Sequence, residues 1–197
     1  MKRTVDNGAG RLVWLVAFGV LSTACSSTPS DVAVVGDSIT VLIEDRLSSG
    51  AYNQWDVAAT IGATVEQMRP GAKELVSGQH DEAIINLGTN DALEGVPRRT
   101  TIANLEAMID SFSGVDCIHL VTVGTELPAS GVNAPAAAAE INDWLRRTAD
   151  ERDNVAIIDW QAEIAAEGGL LRPDRIHPTE RGRTRLVEMM RDAVGSC

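Results

Sequence analysis

The chain has 197 residues, with 17 Lys and Arg against 28 Asp and Glu, for a formal net charge of −11 at pH 7. That length suits one domain of ordinary size, which on folding buries about 70% of the surface its unfolded form exposes. Lysine occurs only at Lys2 and Lys73 and no basic block is present, which argues against a nucleic-acid-binding surface, because phosphate backbones are held by clustered cations.

Lys2, Arg3 and Arg11 precede the apolar run LVWLVAFGVLSTAC, too short to span a bilayer comfortably, which reads as an export signal. Ser22 and Ala24 are small residues three and one positions before Cys25, as a cleavage site requires. LSTAC also resembles a bacterial lipobox, whose cysteine receives a diacylglycerol chain, although Ser22 stands where that motif usually has Leu. Residues 1–24 are therefore expected to be a signal peptide, and 25–30 a lipidated Cys25 with a short polar tether. The folded domain is expected over 31–197, at the outer face of the cell membrane through the lipid anchor. Plain secretion and an uncleaved anchor are the alternatives.

From residue 31, apolar runs of strand length alternate with amphipathic segments of helix length, the pattern of an α/β domain with a mostly parallel sheet. Strands are expected at 32–35, 55–59, 83–87, 118–123 and 155–158, each short and mainly apolar, as strands covered on both faces should be. Helical spacing connects Ile39, Leu42, Ile43 and Leu47, then Val65, Met68, Leu75 and Val76, then Ile102, Leu105, Ile109 and Phe112. It resumes in Ile141, Trp144, Leu145 and Thr148, after Pro135 near that helix's first turn, and in Leu186, Val187, Met190, Ala193 and Val194. Right-handed crossovers put every strand-to-helix turn on one edge of such a sheet, so chemistry is expected there, at a topological switch point.

Four turns on that edge carry candidates: GDS at 36–38, IGAT at 61–64, GTND at 88–91 and DRIHP at 174–178. Singly, each has a structural reading. Ser38 can cap a helix, Gly62 can serve a turn, Asn90 can satisfy loop backbone, and Asp174 and His177 can pair ahead of a helix started by Pro178. Together they hold what acyl transfer by serine needs: a hydroxyl, an imidazole, a carboxylate that fixes the imidazole's tautomer, and donors for the developing oxyanion. Asp174 lies three residues before His177, close enough to accept from Nδ1–H while Nε2 faces Ser38. The expected oxyanion donors are the backbone N–H groups of Ser38 and Gly62 and the side-chain amide of Asn90.

These four blocks resemble those of the SGNH hydrolase superfamily, the GDSL-type lipases and esterases, named for Ser, Gly, Asn and His. Ser38, Gly62, Asn90 and His177 occupy the blocks in order, in GDSIT, a glycine after the second strand, GTND and DxxHP; Ile39 stands in place of the usual Leu. The resemblance covers residue 32 to the last helix. It implies a flavodoxin-like three-layer α/β/α sandwich whose five-stranded parallel sheet is ordered 2-1-3-4-5, which places the Ser38, Gly62 and Asn90 turns on adjacent strands. The activity expected is that of a serine esterase or deacetylase working through an acyl-enzyme on short-chain acyl esters, small molecules or acetylated envelope glycans. An acyltransferase using the same acyl-enzyme and a non-catalytic envelope-binding lipoprotein are the alternatives.

Asp37 and Asp91 each adjoin a turn glycine or its block and read as loop braces through Asx-type hydrogen bonds. His80 and His119 lack partners at metal-ligand spacing and read as structural, so neither a metal nor a cofactor is expected. The loop 124–133 and the segment before His177 should rim the site, with Glu126, Leu170 and Leu171 facing substrate or, alternatively, packing against the domain. So short a chain leaves little room for a lid, and a monomer with a shallow site is expected. If Cys25 carries lipid, Cys117 and Cys197 remain at the opposite edge, where they can form a disulfide if their Cα atoms come within about 7 Å.

Overall fold

The structure, a computed structural model, describes residues 31–49, 55–128 and 132–197. The expected signal peptide, Cys25 and the tether lie outside the described residues. Five strands, β1 (Val32–Gly36), β2 (Asp56–Ala59), β3 (Glu82–Asn86), β4 (Cys117–Val121) and β5 (Val155–Ile158), form one sheet in the order β2-β1-β3-β4-β5. Every pairing is parallel. The expected five-stranded architecture and strand order are therefore present.

Eight helices are described: α1 (Ser38–Val41), α2 (Glu44–Leu47), α3 (Val65–Val76), α4 (Thr89–Glu94), α5 (Arg98–Ser111), α6 (Ala134–Glu151), α7 (Trp160–Ala166) and α8 (Glu180–Ala193). Successive strand side chains point to opposite faces, and β1 shows the result. Ala33 and Val35 join a core with Val65, Met68, Leu105, Ile109 and Ile141, so α3, α5 and α6 cover that face. Val32 and Val34 join a second core with Ile39, Leu47, Ile164, Leu186 and Met190, so α1, α2, α7 and α8 cover the other. Both faces of the central strands are thus apolar, which is why they carry no alternation of polar residues.

The edge strands depart from that expectation. β2 is exposed at Asp56 and only partly buried over the rest of its length, because a strand with one neighbour presents its other side to solvent. The apolar stripe Ile39, Leu42, Ile43 and Leu47 is not one helix. The N–H of Ile43 bonds to the carbonyl of Thr40 at 3.0 Å, a tighter turn that ends α1 and restarts the chain as α2, while Ile39, Ile43 and Leu47 stay in one core. Helices α4 and α7 carry too short an apolar period to be read from the sequence.

The register sets up the site. Gly36, the last residue of β1, pairs with Ala59 of β2 on one side and Asn86 of β3 on the other, so three strands end level and their following turns open on the same edge. A Cβ at Gly36 would run into the Thr40 side chain, so glycine is needed for the chain to fold back into α1. At the far edge, Cys117 and Cys197 are joined in a disulfide with their Cα atoms 5.8 Å apart.

Candidate active site

Ser38 is the first residue of α1, and the helix is capped not by Ser38 but by Asp37, whose Oδ1 accepts the N–H of Ile39 at 2.9 Å. The serine hydroxyl is thereby released from capping. Its Oγ lies 3.0 Å from Nε2 of His177, 139 residues away in sequence. Nδ1 of the same ring lies 2.9 Å from Oδ2 of Asp174, and Asp174 Oδ1 accepts the N–H groups of Ile176 and His177 at 2.9 and 3.0 Å. The loop that presents His177 is clamped at its base, where Leu171 bridges Pro178 and the N–H of Thr179 reaches the carbonyl of Leu170 at 2.8 Å. Pro178 also confines His177 to extended backbone, so the ring is held from both sides.

The carboxylates differ in their surroundings. Burial tends to raise Asp174, but the two backbone N–H groups and the imidazole outweigh it and hold the carboxyl down at about 2. Asp174 is therefore ionised and keeps Nδ1 protonated, leaving Nε2 as the acceptor that faces Ser38. Asp37 is pushed up to about 7 by burial, against the pull of the Ile39 N–H and of His177. Burial also raises Asp91, against the N–H of Val65. Asp37 makes the expected local Asx contact. Asp91 does not: its Oδ2 accepts the Val65 N–H at 2.9 Å and so ties the GTND turn to the start of α3 rather than bracing its own loop.

The three expected oxyanion donors lie in the segments that follow β1, β2 and β3 at this edge. The N–H of Ser38 and that of Gly62 have no hydrogen-bond acceptor among the described residues. Gly62 has φ 75° and open space where a Cβ would stand, so glycine is selected by the left-handed backbone rather than by crowding. Asn90 is more committed than expected: Nδ2 donates to Asp37 Oδ2 at 3.2 Å and to the carbonyl of Ala63 at 3.0 Å. Those bonds orient the amide, and an oxyanion would have to share a donor already engaged.

Beside Ser38 and His177 lies a cavity of about 140 Å3, its remaining walls formed by Val41, Leu42, Ile61 and Arg172. None of the expected substrate-facing residues lines it. Leu170 is 1% exposed and packs in the core under α8; burying a leucine there is worth about 2 kcal/mol, which outweighs any use at the surface. Leu171 packs against the same core, and Glu126 is exposed on the loop after β4. Val41 and Leu42 follow Ser38 by one helical turn, a spacing that could have flagged them; Arg172 carries no such signal. A larger cavity of about 420 Å3 between α3 and α5, lined by Arg69, Lys73, Met108 and Ser111 among others, holds no hydroxyl–imidazole pair.

His119 is not as isolated as its sequence spacing suggests. Its Nε2 lies 2.6 Å from Oε2 of Glu82 and its Nδ1 3.8 Å from Sγ of Cys117, all three buried. The Cys117 sulfur is already bonded to Cys197, so the group is a strand-to-strand tie in this form. His80 pairs with Asp56 at 3.0 Å.

A three-layer parallel α/β/α sandwich, with a serine hydroxyl after β1 in line with an imidazole and a carboxylate from the loop before α8, defines the class. The chain belongs to the GDSL-like lipase/acylhydrolase family, whose sequence pattern matches residues 34–185. Over 173 residues it is 25% identical to a candidate peptidoglycan O-acetyltransferase, YrhL, of Bacillus subtilis (strain 168); the match covers 87% of this chain and 25% of that protein. The chain thus spans about a quarter of the length of this curated relative. Among solved structures it is similar to a lipase/acylhydrolase from Enterococcus faecalis, at 22% identity and TM-score 0.68, covering 83% of this chain and 95% of that one. It is similar also to Axe2, an acetylxylan esterase from Geobacillus stearothermophilus, at 17% identity and TM-score 0.68, covering 85% and 95%. At such identities the structures share the fold.

Proposed function

We propose that the chain is a serine ester hydrolase, with Ser38 as nucleophile, His177 as general base and Asp174 as the residue that orients the imidazole. The observation that carries this reading is the unbroken chain of 3.0 and 2.9 Å contacts from Ser38 through His177 to Asp174. Nε2 takes the hydroxyl proton as Oγ bonds to the ester carbonyl carbon, and the oxyanion is met by Ser38 N–H, Gly62 N–H and the Asn90 amide. Collapse breaks the bond to the alcohol oxygen, which leaves with the proton held on Nε2; water then repeats the cycle and frees the acid. Three apolar walls and a volume of about 140 Å3 favour a short acyl group such as acetyl.

Acyl transfer to a bound hydroxyl is the second reading, favoured by the likeness to a protein described as a peptidoglycan O-acetyltransferase. The acyl-enzyme is the same in both, and only the acceptor differs. The sequence features of residues 1–30 support export and a lipid on Cys25, with an acetylated envelope glycan or a small ester as substrate. No helix among the described residues is long and apolar enough to cross a membrane.

Hydrolysis of p-nitrophenyl acetate by the chain, beside Ser38→Ala and His177→Ala, tests the reading. Loss of nearly all turnover in both variants is expected; a wild-type rate no better than that of Ser38→Ala overturns it. Product analysis with an added sugar acceptor separates hydrolysis from transfer.

A further inference from the structure

Arg172 stands on the wall of the cavity that exposes Ser38 and His177, and the acyl-transfer steps make no use of it. Its backbone is fixed opposite the base. The Arg172 N–H donates to the His177 carbonyl at 2.8 Å, its carbonyl accepts from the Arg175 N–H at 2.8 Å, and the Leu171–Pro178 bridge lies beside it. The guanidinium is therefore hung from the turn that also positions the imidazole.

Arg46, Arg98, Arg146, Arg152, Arg181 and Arg185 each have a carboxylate oxygen within 4.0 Å, whereas Arg172 has none among the described residues. Arg69, Arg99, Arg147, Arg175 and Arg191 also lack such a partner among these residues, but of the described cations only Arg172 lines the cavity that exposes Ser38 and His177. The same turn carries a second cation, Arg175, exposed and at φ 60°, a left-handed conformation that glycine or asparagine adopts more readily. The negative charge between them, on Asp174, is engaged by His177 and two backbone N–H groups.

We infer that Arg172 recognises a carboxylate on the alcohol part of the ester, so that the preferred substrate is an acidic molecule. This rests on the reading of Ser38 and His177 as an acyl-transfer centre. A guanidinium fork matches the two oxygens of a carboxylate in a planar contact that an ammonium cannot reproduce. The alcohol part is the one addressed because Val41, Leu42 and Ile61 suit a short uncharged acyl group, and a carboxylate pressed against them would lack hydrogen-bond partners.

The test compares para-acetoxybenzoate with its methyl ester, which share the acetyl group and differ in charge at the far end of the alcohol part. Each kcat/KM is normalised to the ester's rate with free imidazole, and the two substrates are compared within one protein sample, so loss of folded protein cancels. The wild type should favour the acid by about tenfold, Arg172→Gln should bring the ratio close to one, and Arg172→Lys should keep only part of it. A wild-type ratio near one, or a ratio that Arg172→Gln leaves unmoved, overturns the inference. A second arm needs no turnover: calorimetric binding of para-hydroxybenzoate against its methyl ester. Preference for the acid that disappears in Arg172→Gln supports the inference even in a chain that hydrolyses neither ester; equal binding or none refutes it. An inactive chain with charge-selective binding sinks the acyl-transfer reading alone, and an active chain without selectivity sinks the role of Arg172 alone.

Discussion

Asn90 is bound to Asp37 by a hydrogen bond of 3.2 Å from its side-chain amide to the carboxylate that precedes Ser38. The contact joins two turns 53 residues apart. One residue thus braces the site and is also the side-chain donor proposed for the oxyanion. Substitution separates the two roles, because a brace affects folding stability and an oxyanion donor affects the transition state.

Asn90→Ala should lower kcat by about 10² to 10³, or roughly 3 kcal/mol of transition-state stabilisation, with little change in KM. Steady-state kinetics on a short acyl ester measures this. A loss smaller than about threefold would remove Asn90 from the oxyanion donors and leave it as a brace.

Asp37 is raised by burial from its ordinary 3.8 to about 7. A carboxyl raised in the folded state favours folding below its unfolded value, and that contribution disappears as pH rises towards the folded value. The wild type should therefore lose stability relative to Asp37→Asn between about pH 4 and about pH 7, by at most about 4 kcal/mol. Urea unfolding of both proteins across that window checks it. A difference between them that stays flat with pH would contradict burial as the cause.

Asp174 is shifted the other way, from 3.8 to about 2. Its stabilising contribution is present above the ordinary carboxylate value and is lost as pH falls through about 2. Asp174→Asn should abolish that acid-side loss. It should also cut kcat by up to about 10⁴, because an amide can donate to Nδ1 and so favours the wrong tautomer of His177. A variant retaining a tenth or more of the wild-type rate would argue that the carboxylate does not set the tautomer.

Cys117 and Cys197 close a loop with a sequence separation of 80. In the chain-entropy account, opening such a loop costs about 4 kcal/mol. Thermal unfolding with and without reductant, beside Cys197→Ser, should show a matching fall in Tm. Because the bond lies at the edge away from Ser38, turnover below the lowered Tm should persist. An unchanged Tm on complete reduction would show that the bond adds nothing to the fold.

The mainly apolar runs at 32–35, 83–87, 118–123 and 155–158 were legible as strands because the period of a strand covered on both faces is written in consecutive residues. The candidate chemistry was legible for a similar reason: a parallel sheet with right-handed crossovers sends every strand-to-helix turn to one edge, so GDS, GTND and DRIHP could be placed together before any contact was known. Boundaries and short helices were less so. The break between α1 and α2 depends on one carbonyl, that of Thr40, taking the N–H of Ile43, and no apolar period records such a choice.

Residue type and spacing by themselves thus determined the fold class, the candidate nucleophile, base and carboxylate, and the edge where they meet. The tertiary structure decided that Asp37 and not Ser38 caps α1, that Asn90 spends its amide on Asp37 and Ala63, that Leu170 belongs to the core, and that Arg172 stands at the cavity. The physical reason is range. Periodicity reports which face of one element is buried, whereas the Ser38–His177 contact spans 139 residues and the walls around it come from three separate segments, whose meeting depends on strand order and register.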